Sequence, residues 1–119
     1  MMAATLRPGI THNRQFTVTE AMAMSALGCR FLDSWALLGQ LGDTCMASIA
    51  AHLAAGETTV GAMFCVRFLA PARTGERVDC SVTLSELSGR RLSFTIEARS
   101  QNRLLARGSH VRVLIAPAS

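Results

Sequence analysis

The stretch GETTVGAMFCVRFLAPARTGERV, Gly56 to Val78, decides how this chain folds. From Thr58 to Ala70 its side chains alternate: Val60, Ala62, Phe64, Val66 and Phe68 fall on one face, Thr59, Gly61, Met63, Cys65 and Arg67 on the other. That period of two is the pattern of a strand, and an unusually long one. Pro71 cannot donate to a ladder and ends the run. Thr74-Gly75 then turns the chain toward a second strand, which begins near Val78. Gly56 stands where a helix-terminating glycine stands, so a helix is expected in front of it.

That helix is expected over Phe31 to Ala55, with Asp33 or Ser34 as its N-terminal cap. Apolar residues at 35, 38, 41, 45, 46, 49, 50 and 53 keep close to helical spacing. The opposite face mixes Ala36, Leu37, Ala47 and Ala51 with Gln40, Asp43, Ser48 and His52. A helix apolar nearly all round is a buried one. Gly39 and Gly42 each lower its propensity by about 1 kcal/mol relative to alanine, so packing must compensate. Further upstream, Arg14 to Thr19 reads as a short strand, and EAMAMSALG (20–28) as a helical turn or two ended by Gly28. Residues 1–13, with Pro8 and Gly9, read as a flexible arm, which leaves 14–119 as a single domain.

Downstream, Val78, Cys80, Val82 and Leu84 share one face of a strand, and Ser88-Gly89 makes a hairpin turn. Leu92, Phe94, Ile96 and Ala98 face inward from the next strand, and Gln101-Asn102 turns the chain again. In the last strand Leu105, Ser109, Val111, Val113 and Ile115 are expected on the core face, with His110 and Arg112 pointing away. One long buried helix followed by four strands of ten or more residues gives an α+β class. It describes a curved antiparallel sheet wrapped around a central helix, the hotdog fold, which pairs through sheet edges into dimers.

Composition narrows the function. At 119 residues the chain has the size of one domain. Half of it is hydrophobic, a surplus that oligomerisation would cover. The net charge of +4 comes from arginine alone, but the arginines are scattered from Arg7 to Arg112 and only six aromatics accompany them. A nucleic-acid binder would cluster them, so that class is set aside. Cys29, Cys45, Cys65 and Cys80 are widely spaced, with no CxxC and no Cys/His pair at metal-ligand spacing. They read as reduced thiols in a cytoplasmic protein with no metal. Met1 to Ile10 lacks the apolar core of a signal peptide, and no run has membrane-spanning length.

GETTVG (56–61), VRFLAPARTGERV (66–78), GRRLSFTIEAR (89–99) and ARGSHVRVLI (106–115) together resemble the fluoroacetyl-CoA thioesterase-like family of hotdog proteins, in order and nearly without gaps. The resemblance covers Phe31 to Ile115. It implies thioester hydrolysis by a hydroxyl residue near the helix start, a glutamate eight residues later and a histidine on the first long strand. In this chain the hydroxyl falls on Ser34, the glutamate on Gly42 with Asp43 beside it, and the histidine on Phe68. Gly61 stays where a backbone amide can meet a thioester carbonyl.

The candidate catalytic residues are therefore Ser34, Asp43 and Gly61, with Gly42 and Phe68 lining the substrate. Arg67, Arg73, Arg90 and Arg91 are candidates for the coenzyme A phosphates, which a guanidinium binds bidentately. Each has a plainer reading beside it. One position rotates a side chain by about 100° on a helix, so Asp43 does not simply replace a residue at 42. Ser34 can serve as a cap, His110 as a structural residue, the arginines as solubilising charge, and Cys45 and Cys65 as small core residues. The expected function is an acyl-CoA thioesterase-like protein that hydrolyses or binds a small acyl-CoA. The alternative is a non-catalytic protein that binds an acyl-CoA or another apolar small ligand. A hydratase would need a carboxylate and a histidine facing each other, and the sequence places no such pair. No cofactor is expected beyond coenzyme A as part of the substrate, and the partner expected is a second copy of the chain, as a homodimer or a tetramer.

Overall fold

A computed structural model of the chain describes residues 5–116. In chain order its elements are β1 (Thr11–Thr17), β2 (Ala23–Ala26), β3 (Cys29–Leu32), α1 (Ser34–Ile49), β4 (Thr58–Phe68), β5 (Arg77–Ser88), β6 (Arg91–Ser100) and β7 (Arg103–Ile115). On α1, Leu37, Leu41, Cys45 and Ile49 recur every fourth residue, which stacks them in one buried row. The row packs on a five-stranded antiparallel sheet of spatial order β1-β5-β6-β7-β4. Val78, Cys80, Val82 and Leu84 of β5, with Leu92, Phe94, Ile96 and Ala98 of β6, supply the sheet's half of the core. None of these eight is more than 3% exposed. Burying a side chain of this kind stabilises by about 1.5–3 kcal/mol for the larger ones, which is how α1 carries two glycines. One long helix against a curved antiparallel sheet is the hotdog fold expected from the strand count.

Three expectations about local structure need correction. Residues 20–28 are not a helical turn ended by glycine: a single 3-10 turn, Glu20–Met22, leads into the β2–β3 hairpin. Leu27 and Gly28 both take positive φ (51° and 74°), the two-residue turn that matches strand twist, and this turn overrides the helical preference of Ala and Met. Arg30 then staples the hairpin, donating to Glu20 Oε2 at 3.0 Å and Ser25 Oγ at 3.0 Å. The long helix is accordingly shorter than 31–55, because Phe31 and Leu32 belong to β3 and a 3-10 turn, Ala50–His52, closes its other end. Asp33 holds the N-cap position through its backbone, with Leu37 N–H donating to its carbonyl at 3.1 Å and no bond from its side chain. Finally, the expected arm over 1–13 is not a free arm over its described part. Thr11–Asn13 pair with β5, Gly9 N–H donates to Leu84 O at 2.8 Å, and Leu6 is buried in the core.

Candidate active site in the groove between helix and edge strand

Among the described residues, strand β4 lies at the edge of the sheet and pairs only with β7. Its alternation breaks once. Gly61 sits opposite Arg112 and Met63 opposite Val111, so Ala62 is an extra residue in a bulge. Before the bulge Thr59 and Gly61 point toward α1; after it Phe64, Val66 and Phe68 do. This corrects the single-face reading of β4, which put Thr59 and Gly61 on the side opposite Phe64. The expectation for β7 is reversed as well, because Leu105 is an extra residue in that strand's pairing with β6. His110 is fully buried beneath α1, and Arg112 lies on the same face.

These side chains form one network. Phe64 and His110 sit opposite each other across the strands, and their rings stack at 3.8 Å between centroids. The bulge delivers the Met63 carbonyl to His110 Nδ1 at 2.9 Å. On the other side of the ring, Arg112 Nη1 lies 3.1 Å from His110 Nε2. A guanidinium only donates, so Nε2 is the acceptor and Nδ1 carries the proton. Burial lowers the His110 pKa, and the positive charge of Arg112 lowers it further, against the bond to Met63. The imidazole is thus neutral with both nitrogens committed. Arg112 is held by Thr59 as well: Nε donates to its hydroxyl at 2.7 Å and Nη2 to its carbonyl at 2.9 Å. Thr59, itself 4% exposed, is fixed in turn by its contact with Met46 Sδ at 2.8 Å.

Above the network, α1 and β4 bound a cavity of about 330 Å³. Trp35, Leu38, Gly39, Gly42, Asp43 and Met46 line it from the helix, Phe64 and Arg112 from the sheet. Gly42 is buried, and a Cβ there would meet Phe64 Cζ at 3.5 Å, Arg112 Nη1 at 3.8 Å and His110 Nε2 at 4.0 Å. Position 42 therefore points straight at the histidine–arginine pair. Of the residues singled out from the sequence, Gly42 and Asp43 line this cavity, and Gly61 lies against the network beneath it, where a Cβ would meet His110 Cε1 at 3.3 Å and Arg112 Nη1 at 3.6 Å. Ser34 and Phe68 share a neighbouring recess of about 310 Å³ with Leu37 and Ala72. Ser34 and Asp43 are nine residues apart on one helix, about 13.5 Å along its axis, so they do not act on one atom within this chain.

The four arginines are elsewhere. Arg67 lies on the opposite face of the sheet, where it lines a recess of about 590 Å³ with Arg107 and Ser109. Arg73 is over the Phe31 ring at 5.8 Å and donates to Cys29 Sγ at 3.5 Å, which ties it to the β2–β3 hairpin. Arg90 and Arg91 are exposed at the β5–β6 turn. Cys45 and Cys80 are buried, and burial pushes their thiols up to about 12 and about 11, too high for nucleophiles. The residues that sequence reasoning missed are Thr59, Phe64 and Arg112. Their signal is the polar pair His110 and Arg112, alternating with Val111 and Val113, which becomes readable once bulges at Ala62 in β4 and Leu105 in β7 are allowed.

Among known proteins, a sequence model of the family described as fluoroacetyl-CoA-specific thioesterase matches residues 14–118. The fluoroacetyl-CoA thioesterase of Streptantibioticus cattleyicolor is 29% identical over 79 residues, which cover 66% of this chain and 57% of that protein. The match thus spans a little over half of the relative's length. The structure of the fluoroacetyl-CoA thioesterase FlK superposes with a TM-score of 0.87 at 24% identity, covering 93% of this chain and 89% of that one. A variant of FlK has also been crystallised with fluoroacetate and CoA. A Thermus thermophilus member of the thioesterase superfamily gives a TM-score of 0.85 at 19% identity, over 95% of this chain and 86% of its own. With the family model matched from Arg14 almost to the C-terminus, over a hotdog fold shared with both structures, this chain belongs to the fluoroacetyl-CoA-specific thioesterase family.

Proposed function

We propose that this chain is an acyl-CoA thioesterase-like protein whose groove between α1 and β4 receives the acyl thioester. The observation that carries the reading is a single cavity whose walls are apolar, through Trp35, Leu38, Met46 and Phe64, and whose rim holds a carboxylate, Asp43. An acyl chain needs the first and hydrolysis needs the second. In this reading Asp43 takes a proton from water, the hydroxide adds to the thioester carbon, and the tetrahedral oxyanion faces the Gly61 backbone. Collapse expels the CoA thiolate, which picks up the proton, leaving the free acid. Ser34 and Phe68, in the adjoining recess, contact the substrate rather than the reacting carbon. His110 orients Arg112 and does not act as the base, since both its nitrogens are committed.

Membership of the family supports thioester chemistry, and the related enzyme crystallised with fluoroacetate and CoA supports coenzyme A as the carrier. Arg67, Arg73, Arg90 and Arg91 remain proposals for the phosphates, with no cofactor beyond coenzyme A itself. The test is release of free thiol from a panel of short, branched and aromatic acyl-CoAs. Turnover that falls at least tenfold in Asp43→Ala supports the enzyme; no thiol from any ester across the panel would sink it.

One observation favours a second reading. Gly42 supplies no side chain and Phe68 supplies a ring, so a chain with this groove can hold an acyl-CoA without turning it over. That reading expects thermal stabilisation by CoA esters with no thiol released. In either case we propose that two copies associate along β4, as a dimer or as a tetramer built from dimers. Among the described residues no helix is long and apolar enough to cross a membrane. We further propose a cytoplasmic location, the compartment in which the four free cysteines stay reduced.

A further inference from the structure

We propose that Arg112, backed by His110, is a carboxylate subsite, so that the acyl group this chain accepts ends in a carboxylate. The proposal rests on the groove being an acyl-thioester site and specifies what the site selects.

Arg112 has five N–H donors, and three are used: Nε and Nη2 on Thr59, Nη1 on His110. One N–H remains on each terminal nitrogen, the number a bidentate carboxylate takes. Arg30, Arg99 and Arg103 each pair with a glutamate. Arg112 does not: among the described residues no carboxylate lies within ion-pair distance of it. It nevertheless lines the cavity, and burial pulls its pKa below the usual guanidinium value. A partly desolvated cation with spare donors gains more from an anionic acceptor than from water or a neutral carbonyl.

The backbone keeps the approach open. A Cβ at Gly42 would sit 3.8 Å from Nη1, and one at Gly61 would sit 3.6 Å from it. Two glycines on facing elements thus put no side chain of their own over this nitrogen. His110 cannot compete for the anion, because it is neutral and its Nε2 has already accepted from Arg112. Asp43 is the opposing charge. It lines the same cavity and its field reaches Arg112, but it is exposed, so solvent screens it. A ligand carboxylate in direct contact with the guanidinium has the stronger interaction. The apolar walls at Leu38 and Phe64 suit the methylenes between such a carboxylate and the thioester.

The experiment uses two CoA thioethers that differ at one end and cannot be hydrolysed, S-(3-carboxypropyl)-CoA and S-butyl-CoA, with free butyrate as a third probe. Calorimetric titration of the whole chain is expected to show the carboxylate thioether binding about tenfold more tightly than its methyl counterpart. Arg112→Met should abolish the preference, with the carboxylate thioether binding no more tightly than S-butyl-CoA. Should that variant fail to fold, Gly42→Glu tests the same point with the arginine intact. It places a carboxylate of the chain's own on Arg112, so the preference should vanish there too. Equal or tighter binding of S-butyl-CoA to the unmodified chain overturns the carboxylate subsite and leaves the acyl-CoA reading standing. A preference that survives either variant also overturns the subsite. Butyrate binding as tightly as the thioether overturns the claim that the carboxylate belongs to an acyl chain, and if neither thioether binds, the subsite and the acyl-CoA reading fall together.

Discussion

His110 is held neutral by burial and by the Arg112 charge, with its proton on Nδ1 facing Met63. Nitrogen NMR is expected to show a single Nδ1–H tautomer at neutral pH, titrating below 6.5, the ordinary histidine value. Arg112→Met should move that midpoint upward, since one of the two causes of the depression is removed; an unmoved midpoint would show that the contact is not electrostatic. The same shift acts on stability. Below pH 6.5 the unfolded chain takes up a proton that the folded ring refuses, so this group costs stability as pH falls from 6.5 through its lowered folded pKa. Above 6.5 its contribution is constant.

At the scale of elements, the closeness of β4 to β7 depends on Gly108. A Cβ at that position would run into the Cys65 carbonyl and the Val66 Cα of the neighbouring strand, which are backbone atoms that cannot swing aside. Gly108→Ala is expected to cost about 3 kcal/mol and to loosen the edge strand that carries the bulge. Denaturant unfolding measures it, and a loss below about 0.5 kcal/mol would mean that the strands separate without penalty. The turn between β4 and β5 depends on Glu76, which accepts from Arg73 N–H at 2.6 Å, Arg103 at 2.8 Å and Ser100 at 3.0 Å. Burial raises its pKa, but these three donors outweigh burial and leave it lowered. Its stabilisation is therefore complete above the unfolded value of 4.5 and is lost as pH falls through the lower folded value. The stability gap between the unmodified chain and Glu76→Gln, about 1 kcal/mol or more at neutral pH, should close in acid.

What the sequence disclosed divides at this same scale. The alternation at Val78–Leu84 and Leu92–Ala98 is uninterrupted, so the core faces of β5 and β6 were legible outright. Gly56, with φ of 82°, and the Gln101-Asn102 turn were legible because positive φ leaves a residue signature. The β2–β3 hairpin was not, since Ala and Met lean toward helix and only the Leu27-Gly28 turn argues otherwise. The site was least legible. One extra residue at Ala62 flips the side chains of β4 before it, which hid Thr59, and an extra residue at Leu105, where Leu105 and Ala106 are both buried, does the same in β7 and set His110 and Arg112 on the wrong side. Gly42 was located from the resemblance alone, and only the fold brings to it the arginine that it faces.

For the whole molecule the two edges of the sheet pose the last question. The β1 edge exposes Thr11, Asn13, Gln15 and Thr17, polar residues that discourage pairing. The β4 edge exposes Val60, Met63, Phe64 and Phe68, followed by Leu69, and Trp35 of α1 stands 79% exposed on the helix that borders the same groove. An eleven-residue edge strand bearing four large apolar side chains is a surface that associates unless something covers it. A second copy joined through β4 would satisfy the unpaired backbone groups of both strands at once and place two grooves beside one interface. Sedimentation velocity is accordingly expected to show a dimer or a tetramer built from two dimers, and Val60→Lys with Met63→Lys to shift it toward monomer. Both residues sit on the sheet face away from α1, so the double variant leaves Thr59, His110 and Arg112 in place and separates association from the chemistry of the groove. A chain that sediments as a monomer before any substitution would remove the second copy as the cover for β4. If instead the monomeric variant keeps S-butyl-CoA binding unchanged, the groove is complete within one chain and association serves to protect the edge.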